Sequence, residues 1–125
     1  RGWSFQQSPS FFEVILCWQA THRLDLDYST FTHLATTSVI REPSQLVASS
    51  DHAVPVDGWH PTSQWLPDEI VCDAHKIPVA GQSHFNHVIA GMYTRGADGS
   101  FHQLGSLNWE RQGVQWTLSS PSRQQ

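Results

Sequence analysis

Between Asp51 and Asp73 the chain sets Pro55, Gly58, Pro61, Thr62, Trp65, Pro67 and Glu69 at spacings that no regular helix or strand accommodates. Proline fixes φ and removes a backbone donor, and Gly58 is free to take positive φ. The stretch therefore reads as a shaped crossover between two strand-like runs, with Trp59 and Trp65 available as anchors. A connection of this kind belongs to a β-sandwich rather than to an active-site loop. The rest of the chain agrees, because short apolar alternations recur between turn signals. Residues 11–20 place Phe12, Val14, Leu16 and Trp18 on one face. Residues 28–34 follow at hairpin distance, with Tyr28, Thr30, Thr32 and Leu34 on one side and Ser29, Phe31 and His33 on the other; either side suits a core. Weaker alternation at 46–49 and better alternation at 69–77 and 85–93 continue the series. Gly96 to Gly99 reads as a hairpin turn into a strand at 100–104, and 114–118 as a closing strand. No window keeps helical spacing for three turns without Pro or Gly. The expectation is all-β: a single antiparallel β-sandwich, immunoglobulin-like or jelly-roll-like, of about seven to eight strands.

A chain of 125 residues fits one domain with a core of its own, here residues 1–120 as the sandwich and 121–125 as a frayed polar tail. Only 14% of residues are charged, so the surface must be largely neutral and polar. A net charge of −4 with seven Lys plus Arg leaves no basic stripe for phosphates, which argues against nucleic acid and against anionic membrane surfaces. No apolar run approaches the ~20 residues that span a bilayer, so no direct membrane insertion of this segment is expected. The beginning, Arg1-Gly2-Trp3, carries neither an initiator Met nor a signal-peptide pattern, as in a mature product or a piece of a longer protein. Cys17 and Cys72 lie in separate strand-like runs, without the close spacing of a zinc or redox motif. They form either one disulfide, which would place the chain in an oxidising compartment, or two buried thiols.

In order along the chain, Leu16-Cys17-Trp18-Gln19-Ala20, Asp27-Tyr28-Ser29-Thr30-Phe31-Thr32-His33-Leu34, the series Asp51, Pro55, Gly58, Pro61-Thr62, Trp65, Pro67, Glu69 and Asp73, and finally Gly91-Met92-Tyr93 form one pattern. That pattern resembles the β-rich C-terminal domain of bacterial multi-span membrane glycosyltransferases of the dolichyl-phosphate-mannose mannosyltransferase type. The resemblance covers most of the chain. It departs at Pro67-Asp68-Glu69, where the family usually shows Pro-Gly-Glu, and at Ser83-His84-Phe85-Asn86, where it shows Pro-Gly-x-Tyr. It implies an extracytoplasmic accessory domain of the bacterial envelope, and it carries over no catalytic residues.

The residues themselves say little for catalysis. There is no Gly-x-Ser-x-Gly elbow, and neither cysteine has a nucleophile context. Carboxylate pairs such as Asp51 with Asp57, or Glu69 with Asp73, have the chemistry for glycoside hydrolysis, but in a crossover they more often accept backbone N–H groups at turns. Eight histidines raise a metal-dependent enzyme as a weaker alternative, through His84 and His87 with His75 or His102. Residues three apart on a strand point to opposite faces, so no metal site and no cofactor is expected. His33 reads as half-buried beside a turn carboxylate, with Asp51 as its partner.

Six tryptophans remain, more than one core needs. A flat indole rimmed by Asn, Gln, Asp and His suits a sugar ring, or a neighbouring protein subunit. Trp59, His60, Trp109 and Trp3 are the expected ligand or partner contacts, and Trp65 is the expected plug of the sandwich end. The function expected is thus non-catalytic: a carbohydrate-related binding module, with a structural subunit of a larger assembly or filament as the alternative.

Overall fold

A computed structural model of the chain describes residues 2–79, 84–95, 101–112 and 115–118. It is built of two antiparallel sheets. The first orders β1 (Gly2–Gln7), β2 (Phe11–Gln19) and β5 (Ile70–Pro78) side by side. The second orders β4 (Leu46–His52), β3 (Ser29–Ala35), β6 (His87–Arg95), β7 (Phe101–Gln112) and β8 (Gln115–Leu118). Strands one, two and five face strands four, three, six, seven and eight, so β4 lies beside β3 and not beside β5 as strand four does in a constant-type immunoglobulin sandwich. The expected turn at 96–99 and the tail at 121–125 lie outside the described residues.

The inner face follows from period-two alternation. Phe12, Val14 and Leu16 on β2, and Val71 and Ile77 on β5, point inward from the first sheet. Thr30, Thr32 and Leu34 on β3, Val88, Ala90 and Met92 on β6, and Trp109 on β7 meet them from the second. The choice left open for β3 is thereby settled. Phe31 is also buried, on the opposite face of the second sheet. It lies over Gly91, where a Cβ would run into the Gly105 carbonyl oxygen and come 2.9 Å from the Phe31 ring. Glycine at this position is therefore a packing requirement.

Cys17 stands directly opposite Cys72 on β2 and β5, and the two form a disulfide. It sits on the outward face of one sheet, so it staples neighbouring strands and leaves the space between the sheets to aromatic packing. Phe12 meets Phe5 at 5.7 Å and Phe85 at 5.1 Å, and Phe5 meets Trp109 at 5.3 Å between ring centroids. The bridge answers the thiol question and fits a non-reducing, extracytoplasmic setting. Among the described residues, no helix is long and apolar enough to cross a membrane.

Candidate functional site

Asp73 sits on β5 two residues from His75, so both side chains enter the sandwich between Val71 and Ile77. A buried carboxylate is costly unless its lone pairs are filled, and here they are. Its Oδ2 accepts from the Thr30 hydroxyl at 2.5 Å and from His75 Nε2 at 3.0 Å. Its Oδ1 accepts from His52 Nδ1 at 2.9 Å and from the Val56 backbone N–H at 2.8 Å. Burial by itself would raise the carboxyl's pKa. The bonds from His75, Thr30 and His52 outweigh it and hold the group well below the usual carboxylate range. One side chain thus ties β5 to β3, to the end of β4 and to the start of the crossover.

The Val56 N–H is offered from strained backbone. Val56 opens a short α-turn, Pro55–Gly58 (α1), and takes φ 56°, a region that costs a β-branched residue roughly 1–3 kcal/mol. The bond to Asp73 and packing against Trp65 hold it there. Gly58, at φ 92°, completes the turn. Farther on, Thr62 is buried; its hydroxyl donates to the Leu26 carbonyl at 2.7 Å and accepts the Tyr28 N–H at 2.9 Å. Trp65 plugs this end as expected. It is 2% exposed, donates its indole N–H to the His60 carbonyl at 3.0 Å, and packs on Val71 and Met92.

Glu69 fastens the last turn by accepting the Leu66 N–H at 2.9 Å and pairing with His60 Nε2 at 3.2 Å. The backbone bond, and after it the His60 bond, lower its pKa. Asp68, where the resembled family shows glycine, adopts φ 64°, and its backbone bonds both Ala20 and the Gln19 amide. Asp51 departs from the expected role. It lies on β4 rather than in the crossover and accepts the Tyr93 hydroxyl at 2.9 Å. His33 makes no hydrogen bond to it among the described residues; burial lowers the imidazole pKa, and the Asp51 charge partly offsets that.

Ser50 Oγ lies 2.8 Å from His75 Nδ1, so Ser50, His75 and Asp73 stand in the connectivity of a hydrolase relay. His75 Nε2 faces Asp73 and Thr30, and its Nδ1 faces Ser50. A general base must, however, reach the group it serves. His75 is 1% exposed and is covered by the ring of His52, stacked 3.9 Å away at 13°. The same stacking bears on metal binding. The donor atoms of His52, Asp73 and His75 lie within 4.8 Å of one another. Imidazole lone pairs lie in the ring plane, and near-parallel stacked rings aim them side by side rather than at one point, so an ion midway would sit far out of both planes. The cluster joins β5 to β3, to the end of β4 and to the crossover. Of the histidines considered from spacing, His75 belongs to this cluster, whereas His87 lies 3.3 Å from Asn108 Oδ1 and His84 is exposed.

The four expected contact residues divide. Trp59 projects from the crossover with 83% of its surface exposed, the largest value among the exposed apolar side chains of the described residues, and His60 follows it, half-buried against Glu69. Trp3 is 47% exposed on β1. Trp109 is 0% exposed, so its assignment as a contact residue is corrected: the strand alternation of β7 turns it inward, against Trp3 at 5.7 Å and Phe5. With Trp3, Leu16, Trp18, Leu107 and Leu118 it lines an open cleft of about 220 Å³ at the opposite edge of the sandwich. Among the described residues, the buried indole N–H groups of Trp18 and Trp109 find no hydrogen-bond partner.

Comparison with protein-family models, with curated proteins and with solved structures yields no match. The site is accordingly read from its own residues. His52, Ser50 and Val56 are the members that sequence reasoning missed. For His75 a signal existed, since it and Asp73 alternate with Val71 and Ile77 on the inner face of one strand.

Proposed function

We propose that this chain is a non-catalytic, extracytoplasmic binding module that presents Trp59 to carbohydrate. The observation that carries this reading is an indole 83% exposed on a connection whose backbone is bolted down at Asp73, Thr62 and Glu69. An exposed aromatic on a rigid support binds with little ordering cost, and its apolar face suits the CH groups of a sugar ring. His60 and Glu69 supply polar groups on the same crossover. The resemblance to the C-terminal domain of bacterial membrane glycosyltransferases supports an accessory, carbohydrate-related role in the bacterial envelope. That support is associational. The Cys17–Cys72 bridge favours the same side of the membrane.

The test is a fluorescence and calorimetric titration of the wild type and Trp59→Ala with bacterial envelope oligosaccharides. Saturable binding that Trp59→Ala abolishes, at unchanged thermal midpoint, is the expected result. Binding that survives the substitution, or no binding to any of the sugars, overturns the reading. A second reading, as a subunit of a larger assembly, is favoured by the free edge of β1.

A further inference from the structure

Four strands form the borders of the two sheets: β1 and β5 in one, β4 and β8 in the other. A border strand exposes unpaired N–H and C=O groups, and proteins guard such edges with charge, proline, bulges or shortness. β5 carries Asp73, Lys76 and Pro78, with α1 and β4 packed against it. β4 carries Asp51 and His52, and β8 is only four residues long. β1 has none of these guards. Its six residues, Gly-Trp-Ser-Phe-Gln-Gln, include no charge and no proline, and they pair with β2 without a register shift.

The side chains of β1 also fit their own copy. Trp3 and Phe5 pair with Leu16 and Val14, so both lie on the inward face. Ser4, between them, is exposed on the outward face. If two β1 strands meet antiparallel with Ser4 opposite Ser4, Trp3 of each copy stands opposite Phe5 of the other, and Gly2 opposite Gln6. This is the reciprocal pattern that a two-fold interface requires, and aromatic pairs across strands are among the stabilising ones. Nothing charged meets its like at the axis. The pairing would cover the exposed part of Trp3 and close the mouth of the cleft beside it, where Trp3 and Trp109 are already in contact.

We propose that β1 is the docking edge for a second copy of this chain, through antiparallel strand pairing centred on Ser4 that continues the three-stranded sheet from one copy into the next. The inference is independent of the glycan reading, since Trp59 lies on the crossover and not on β1.

Sedimentation velocity over a concentration series, with intrinsic fluorescence on the same samples, shows a monomer–dimer equilibrium with emission shifting to the blue as Trp3 is covered. Ser4→Lys puts two ammonium groups face to face and raises the dimer Kd about tenfold or more at low salt, with partial recovery at high salt and no change in thermal midpoint at concentrations where the wild type is monomeric. Ser4→Cys yields a covalent dimer on mild oxidation, whereas Ser49→Cys, on the exposed face of β4, does not. A wild type that stays monomeric at every concentration overturns the proposal. So does a dimer that Ser4→Lys leaves intact, or one that Ser4→Cys fails to cross-link.

Discussion

The crossover end and the β1 edge of this sandwich solve the same problem, how to finish a two-layer fold, with opposite chemistry. At the crossover the finishing contacts are directional. A carboxylate with four donors, a threonine bonded on both sides and a glutamate capping a turn each admit one geometry. At β1 the contacts are apolar and tolerant, and indole rings line a cleft that remains open. Polar satisfaction specifies shape, whereas apolar area leaves room for another surface. The difference explains why an exposed Trp59 is held in one place, while Trp3 sits where a partner strand would complete its surroundings.

The sharpest way to break the contrast is Asp73→Ala. It leaves four donors without an acceptor in a closed interior, and stability falls by about 3–5 kcal/mol in chemical denaturation, close to what breaking a buried ion pair costs. Acid acts on the same group. Because the folded carboxyl titrates below its unfolded value of about 3.9, its contribution is complete above that pH and is lost progressively as pH falls from there towards the lower folded value. His33, whose folded pKa is also lowered, adds a smaller loss that begins as pH falls below about 6.5. A denaturation series from pH 7 to pH 3 resolves both, and Asp73→Ala removes only the acid-side component.

Next in size is Gly91→Ala. The new methyl meets the Gly105 carbonyl oxygen and the Phe31 ring, and a loss of about 1–3 kcal/mol follows in the same assay. The smallest effect sharpens the comparison from the other side. Trp59→Ala shifts stability by less than about 0.5 kcal/mol because its ring is in solvent, while Trp3→Ala costs more, since half of that side chain packs on Trp109.

Much of the fold is legible in the sequence where one face is strongly apolar. Phe12, Val14 and Leu16 alternate cleanly, and β2 follows from them. Residues 2–7 gave no such signal, because two aromatics in six residues are too few to mark a strand; β1 exists by pairing with β2. The later part of β7 is hidden for another reason. Its Asn108-Trp109-Glu110-Arg111 run looks like surface, yet alternation turns Trp109 fully inward. In the crossover, the positions that matter for shape were recognisable from Pro, Gly and Trp. Their partners were not, because His52 and Thr30 reach Asp73, and Ser50 reaches His75, only after two sheets have stacked, and no local pattern encodes that meeting. Of the eight histidines, the half-buried His52 and the buried His75 both bond Asp73.

The disulfide has one more consequence. Cys17 and Cys72 lie 55 positions apart, and the whole of β3, β4 and the crossover falls between them. A protease that cuts the exposed turn at Trp59 therefore releases nothing: the two pieces stay joined through sulfur and part only when the bridge is reduced. Damage to this exposed loop is invisible to size until a thiol is added.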